Sequence, residues 1–382
     1  MIFTTKLRRR LLAGALLLAL AVGLILAFDL RTVSTGSMEP TLFGRDPQGR
    51  AGDLLLIDRA GYFFGAPARF DIAVFRGAGD GSLRTKRIHG LSGETVQLLG
   101  GDLYVDDRLW RKSEAEWERC AVLLFDAGQH PYEGERGYWR RMASAEGSGA
   151  PALPQGAAVR WRSRPVRSDY RVDDGAWRAG SYDLRDVELS LSLTGPTGDG
   201  RSAIRWERGG AALCELVIAR IGAAGQSTLA LRIHEQEGLY ADASFAWSAG
   251  QELRLVLRRL DGVWTLNASG PLELTRAFEM HEENTGDLAR STPGALELDL
   301  ELLGAGLELA RCRVRRDLHH VDPRSADGTS ARHRVGPAHF FVLGDHAEDS
   351  RDSLSDGDVA RGDLLGRVLA VLHPGSRRRW LR

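Results

Sequence analysis

Between about residue 180 and residue 315 apolar and polar side chains alternate almost strictly, and a period of two leaves the chain few folds. Alternation sends successive side chains to opposite faces, so one face of each segment is apolar and must be covered. The clearest segments are Val187-Glu188-Leu189-Ser190-Leu191-Ser192-Leu193, Thr228-Leu229-Ala230-Leu231-Arg232-Ile233, Leu296-Glu297-Leu298-Asp299-Leu300-Glu301-Leu302 and Leu307-Glu308-Leu309-Ala310-Arg311. Leu253-Arg254-Leu255-Val256-Leu257 runs into Asp261-Gly262 and returns through Val263-Trp264-Thr265-Leu266. Asp-Gly between two such runs is a hairpin signal, because both turn positions need positive φ. Turns recur about every ten residues, which predicts an antiparallel sandwich.

The flanking sequence reads differently. Residues 51–110 show short strands between Gly/Asp turns: Asp53-Leu54-Leu55-Leu56-Ile57, Asp71-Ile72-Ala73-Val74-Phe75, Lys86-Arg87-Ile88, Thr95-Val96-Gln97-Leu98-Leu99 and Leu103-Tyr104-Val105. Residues 146–154, rich in Gly, Ser, Ala and Pro, read as a linker or exposed loop. Near residue 335 the pattern changes again, to Phe340-Phe341-Val342-Leu343-Gly344-Asp345. The chain is predicted to be mainly β, with room in 382 residues for two or three domains.

Residues 11–28 form an uncharged apolar run preceded by Lys6, Arg8, Arg9 and Arg10. As a helix it would be about 27 Å long, enough to cross a hydrocarbon core. The basic flank predicts an N-terminus on the cytoplasmic side and export of everything after Phe28. A cleaved secretory signal is the competing reading; Phe28-Asp29-Leu30-Arg31 lacks the small residues of a cleavage position, which favours an uncleaved anchor. The formal net charge is zero, so no global basic field points to nucleic acid. Cys120, Cys214 and Cys312 are widely spaced without a Cys-x-x-Cys, which excludes a zinc ribbon and leaves one unassigned disulfide open. His319-His320 with Asp322 suggests a metal site at first sight, but adjacent histidines on a strand diverge, so a strand is favoured and no metal or cofactor is expected.

Of 51 Lys plus Arg residues only Lys6, Lys86 and Lys112 are lysines. A chain that uses Arg for plain charge points to a task for Lys86 that Arg cannot perform, since only Lys can lose its proton on burial and act as a base. Lys6 sits in the basic flank, and Lys112 has no such context. The serine Ser37, nine residues beyond the apolar run in Thr35-Gly36-Ser37-Met38-Glu39-Pro40, is the matching nucleophile candidate. Pro40 occupies the place where a Ser-x-x-Lys enzyme needs its lysine, and no Gly-x-Ser-x-Gly elbow surrounds Ser37.

Four stretches together resemble the ordered motifs of bacterial type I signal peptidases. They are Ser37-Met38-Glu39-Pro40-Thr41-Leu42, Gly52-Asp53-Leu54-Leu55-Leu56-Ile57, Lys86-Arg87-Ile88-His89-Gly90-Leu91-Ser92-Gly93-Glu94 and Gly344-Asp345-His346-Ala347-Glu348-Asp349-Ser350-Arg351-Asp352-Ser353. The resemblance covers about 1–112 and 317–382. It implies a Ser/Lys dyad without histidine: Ser37 attacks the scissile carbonyl, and Lys86 takes its proton, protonates the leaving amine and activates the deacylating water. It further implies an oxyanion hole from the Ser37 backbone N–H and the Thr35 hydroxyl, a Ser350 that orients the lysine, an Asp345–Arg87 ion pair, and a supporting Asp352. Shallow apolar pockets around Val33, Met38, Leu42 and Thr85 would accept small residues, typically Ala-x-Ala. This chain departs from the family at His346, Ala347 and Leu354, where arginines or asparagine are usual, which puts ion-pair support of Asp352 in doubt.

The expected organisation is a cytoplasmic tail and anchor over 1–30, a catalytic core over 31–112 and 336–382, and an inserted β-sandwich over 113–335. The alternating strands with Trp206, Trp247 and Trp264 resemble a concanavalin-like sandwich, with a glycan or an envelope partner as candidate ligands. The reading is a single-pass inner-membrane serine endopeptidase acting on exported preproteins at the outer face. Its alternatives are a specialised envelope-processing peptidase of the same clan and a membrane-tethered binding protein with an idle protease core.

Overall fold

The computed structural model describes the chain except residues 1–9, 17, 19–21, 24–25, 47–48, 78, 80, 131–136, 143–158, 173–174, 196, 221–225, 235–238, 281–294, 305–306, 326–327 and 382. The Gly/Ser/Pro stretch 146–154 falls outside the described residues, as do Lys6, Arg8 and Arg9. The chain forms two compact units, one of residues 1–110 with 320–382 and one of residues 111–319.

The first unit is built on an eight-stranded antiparallel sheet whose spatial order interleaves both ends of the chain. Phe28–Thr32 lies at one edge, followed by Leu54–Asp58, Leu364–His373, Ile72–Arg76, Leu83–Gly90, His339–Leu343 and Val359–Ala360, with Arg379–Trp380 paired to Leu364–His373. Leu83–Gly90 is central, flanked by Ile72–Arg76 and His339–Leu343, so residues 86–90 are buried on both faces. One apolar cluster gathers Val33, Met38, Leu42, Leu55, Ile57, Ile72, Val74, Val368 and Val371. A second contains Ala73, Phe75, Ile88, Phe340, Val342 and Val359. A four-stranded sheet joins Thr95–Leu99, Asp102–Val105 and Arg108–Leu109 to His333–Arg334.

That last pairing corrects the expected limits of the insertion. Ser330 accepts the Leu98 N–H at 2.8 Å through its hydroxyl and donates its own N–H to the Leu98 carbonyl, while His333 pairs with Val96. Residues 320–335 are thereby tied to the first unit. His319 and His320 lie in irregular chain, not in the expected strand.

Within the apolar run the described helical residues are 11–16, 18, 22–23 and 26–27, and Phe28 already belongs to a strand. Among the described residues no helix is long and apolar enough to cross a membrane. The leucines described there are exposed, Leu16 to 71% and Leu26 to 66%.

The second unit stacks two antiparallel sheets. One has the order Leu239–Ala246, Gln226–Ile233, Ala211–Arg220, Gly200–Arg208, Leu296–Gly304, Val159–Ser163, Trp139–Met142. The other has the order Leu274–Glu279, Val263–Ser269, Glu252–Leu260, Val187–Thr194, Glu308–Arg316, Val122–Asp126. Their apolar faces meet in one core, where Trp206 of the first sheet packs against Trp264 of the second with ring centroids 4.7 Å apart and planes inclined by 54°. Trp206, Trp247 and Trp264 are all buried, so none of the three is available to stack on a sugar. Asp261 and Gly262 both take positive φ, 46° and 74°, as the Asp-Gly hairpin predicts. Cys120, Cys214 and Cys312 are buried free thiols, so the disulfide left open by the sequence is not formed here.

The short helix Glu114–Cys120 was missed by periodicity. Its signal is local: Ser113 and Glu116 form a reciprocal capping box. Lys112 needs a correction too. It is buried, its Nζ 2.7 Å from Asp261 and 2.8 Å from Asp317, while Asp186 accepts from Arg259 and from the Asp261 N–H. Burial works against its charge, but Asp317 and Asp261 outweigh it and hold the Lys112 pKa well above the ordinary value.

Candidate active site

Ser37 sits on a tight turn just after the edge strand Phe28–Thr32. Glu39 donates its N–H to the Gly36 carbonyl and Leu42 to the Met38 carbonyl, each at 2.8 Å, which winds the chain through one helical turn. Met38 and Leu42, four apart, therefore point the same way, into the core. Behind the turn, Asp53 accepts the Phe43 N–H at 2.9 Å and the Arg377 Nε at 2.6 Å. A Cβ on Gly44 would come within 2.3 Å of the Thr35 carbonyl, so only glycine lets this backbone pack against Thr35-Gly36.

The expected substrate-pocket residues divide. Val33, Met38 and Leu42 are core side chains, Leu42 with no exposure at all, because this turn is anchored by burying them. Thr85 is half-buried on the strand Leu83–Gly90, opposite Val74.

Lys86 and Arg87 are neighbours on one strand and so face opposite sides. Arg87 makes a two-pronged ion pair with Asp345, Nε–Oδ1 2.9 Å and Nη2–Oδ2 2.6 Å, with both side chains buried. Arg87 also donates to the Phe70 carbonyl and to the Thr41 hydroxyl, tying the central strand to the turn that carries Ser37. Burial alone would raise the Asp345 pKa; the Arg87 charge and hydrogen bond more than reverse this.

Lys86 is 3% exposed, and its Nζ donates to Ser350 Oγ at 2.9 Å. Burial lowers its pKa from 10.5 to about 8, with the carboxylates of Asp352 and Asp345 opposing the shift. Ser350 in turn donates to Asp352 Oδ2 at 2.6 Å. Because a carboxylate only accepts, the Ser350 proton is committed to Asp352 and its oxygen is left to receive the amine.

Among the described residues no arginine is hydrogen-bonded to Asp352, as the loss of the usual basic residues at Ala347 and Leu354 foreshadows. Three donors replace it: the Ser350 hydroxyl, the Gly344 N–H at 3.0 Å and the Leu354 N–H at 3.1 Å, the last as the cap of the helix Ser353–Asp356.

Ser37 and Lys86 share no hydrogen bond in this structure. Ser37 Oγ lies 3.4 Å from Thr35 Oγ1, and Thr35 is exposed. The link between the two halves of the site is Gly344. A Cβ there would lie 2.1 Å from Ser350 Oγ and 2.4 Å from the Ser37 carbonyl oxygen, so both crowd the same bare backbone position. The His346 N–H also reaches the Ser37 carbonyl at 3.2 Å. The side-chain cluster Lys86–Ser350–Asp352 thus comes together beside the Ser37 turn from positions 37, 86 and 344–352.

Sequence reasoning passed over two supports, the Asp53–Arg377 pair and the close approach at Gly344. Asp53 and Gly344 stood inside quoted motifs and Arg377 did not, and nothing in a motif says what its members touch.

Among curated proteins nothing matches the chain. Solved structures similar to it include the CBM2 module of the evolved Dit of Lactobacillus casei BL23 phage J-1, at 7% identity, TM-score 0.31, over 42% of this chain and 69% of that one. A Caenorhabditis elegans galectin matches at 13% identity and TM-score 0.24, over 42% of this chain and 91% of its own. A non-specific endo-β-1,3(4)-glucanase of family GH16 matches at 12% identity and TM-score 0.31, over 60% and 97%. Residues 7–135, which carry Ser37 and Lys86, match the family described as signal peptidase, peptidase S26, and that match supports a signal-peptidase family.

Proposed function

We propose that the protein is a membrane-bound serine endopeptidase that removes signal peptides, with Ser37 as nucleophile and Lys86 as general base. The observation that carries this reading is the buried Lys86 amine beside the Ser37 turn, its pKa brought down to about 8 by desolvation. A serine hydroxyl needs a base, and an ammonium cannot serve as one until it loses its proton. Asp352 and Ser350 hold the amine by one N–H, so the lone pair of neutral Lys86 is free for the Ser37 proton once the serine side chain turns from Thr35.

Attack of Ser37 Oγ on the scissile carbonyl then forms the acyl-enzyme as Lys86 passes the proton to the leaving amine. Water, deprotonated by the same amine, releases the product. The Ser37 N–H and the Thr35 hydroxyl are the donors we assign to the developing oxyanion. The apolar run at 11–28 would hold the enzyme in the bilayer with its N-terminus inside and the Ser37 region at the outer face, within about 30 Å of the surface.

The test is cleavage of a preprotein by the full chain in detergent. Ser37→Ala and Lys86→Arg should each lower kcat by about 10⁴-fold or more with an unchanged circular dichroism spectrum. Substantial activity in the folded Lys86→Arg protein would remove Lys86 as the base.

A further inference from the structure

We propose that Phe63 and Phe64 form a second membrane contact, a rigid aromatic finger that enters the outer boundary of a phospholipid bilayer beside the N-terminal apolar run. Both rings are 84% exposed, and they meet edge to face with centroids 5.1 Å apart. Scattered exposed apolar side chains are ordinary, but two adjacent phenylalanines held bare on a fixed turn are not.

The turn is built to hold them out. The helix Gly61–Phe64 starts where Asp58 accepts the Gly61 N–H at 2.8 Å, and it ends where Gly65 donates to the Gly61 carbonyl at 2.9 Å. Tyr62, one residue before the pair, packs inward against the cluster of Ala73, Phe75 and Ile88. Arg361 clamps the base by donating to the carbonyls of Tyr62, at 3.1 Å, and Gly65, at 3.4 Å. With Tyr62 and the backbone anchored, the next two side chains have only solvent to face.

What covers them is indicated by where the finger starts. Phe28 pairs with Asp58, and Arg59 donates its N–H to the Ala27 carbonyl at 2.8 Å, so the finger leaves the sheet at the point where the apolar run joins it. The described leucines of that run are themselves exposed. Exposed Arg59 and Arg361 stand at the base of the finger, the arrangement that places aromatic rings at the acyl boundary and guanidinium groups among lipid phosphates. Two attachment points fix the orientation of the first unit on the bilayer, where a single helix would leave it free to swivel.

The inference rests on reading the apolar run as an anchor, and the test separates the two. Because the three native cysteines are buried, a nitroxide can be placed selectively on the full chain at Phe64→Cys, at Leu16→Cys or at Arg334→Cys, an exposed position on the small sheet. Each protein is reconstituted in vesicles of phosphatidylethanolamine and phosphatidylglycerol, and the accessibility of the label to oxygen and to a water-soluble nickel complex is compared. Lipid-like accessibility at 16 and 64, with water-like accessibility at 334, is expected. Water-like accessibility at 64 with a lipid-embedded 16 overturns the finger and leaves the anchor intact. Water-like accessibility at both overturns the anchor and the finger with it, and a label at 64 immobilised in proportion to protein density assigns the patch to a second copy instead. As an activity readout, the double variant Phe63→Ser with Phe64→Ser should lose about tenfold in kcat/KM on vesicle-embedded preprotein while cutting a soluble peptide normally. Equal loss on both substrates also overturns the proposal.

Discussion

Lys86 illustrates how a single residue couples function to pH. Its amine titrates at about 8 in the folded chain against 10.5 when unperturbed, so the unfolded chain binds more proton between those values. Stability therefore rises as pH increases from about 8 to 10.5, and Lys86→Met should flatten that limb of a denaturant titration. Cleavage has the same origin: kcat/KM should climb with pH to a plateau above about 8, since only the neutral amine accepts a proton. A profile flat from pH 5 to 9 on a substrate limited by chemistry would count against a lysine base. Gly344 is the second residue with a sharp expectation. A methyl group there collides with Ser350 Oγ and the Ser37 carbonyl, and a shift of about 1 Å in either costs about 100-fold. Gly344→Ala should lower kcat by at least that factor and also lower the melting temperature, because the Ser37 backbone carbonyl has to move to admit the methyl group. Retained activity would mean the two halves of the site are not held in register through this position.

At the level of elements, the hairpin of Glu252–Leu260 and Val263–Ser269 carries more than its turn. Its Asp261, held with positive φ, pairs with Lys112, which also pairs with Asp317, and residues 112 and 317 lie near the points where the chain enters and leaves the second unit. Three buried carboxylates, Asp186, Asp261 and Asp317, share Lys112 and Arg259. Burial raises the Asp317 pKa to about 7 even with Lys112 pulling it down. Removing the lysine leaves uncompensated buried charge, so Lys112→Ala should destabilise the sandwich by about 3–5 kcal/mol at neutral pH. Unfolding followed by the fluorescence of buried Trp206 and Trp264 measures it. A loss under 1 kcal/mol would show that the carboxylates take up protons instead of straining against one another.

At the scale of the whole molecule, each unit has its own core, and the strands of the first close across the inserted stretch without it. Residues 111–319 should therefore fold alone as a β protein with a cooperative melt. The complementary chain, with a short Gly/Ser linker between Trp110 and His320, should still cleave a generic Ala-x-Ala preprotein, because the partners of Lys86 all come from the first unit. A shortened chain that folds but cuts nothing would place substrate capture in the sandwich.

The sequence by itself determined what local periodicity and chemistry can carry. Alternation decided the strands, because a period of two has only one regular solution, and Asp261-Gly262 decided a turn that few dipeptides can make. The scarcity of lysine singled out Lys86, and ordered motifs grouped it with Ser37 and Ser350. The same logic misjudged Lys112, for burial is a property of neighbours that lie about 150 and 200 residues away along the chain. Tertiary structure alone decided that Val33, Met38 and Leu42 are core, that three donors replace the missing arginines at Asp352, and that residues 320–335 pair back onto Thr95–Leu99. Each is a contact between distant segments, and a contact has an energy only once the chain has brought its two sides together.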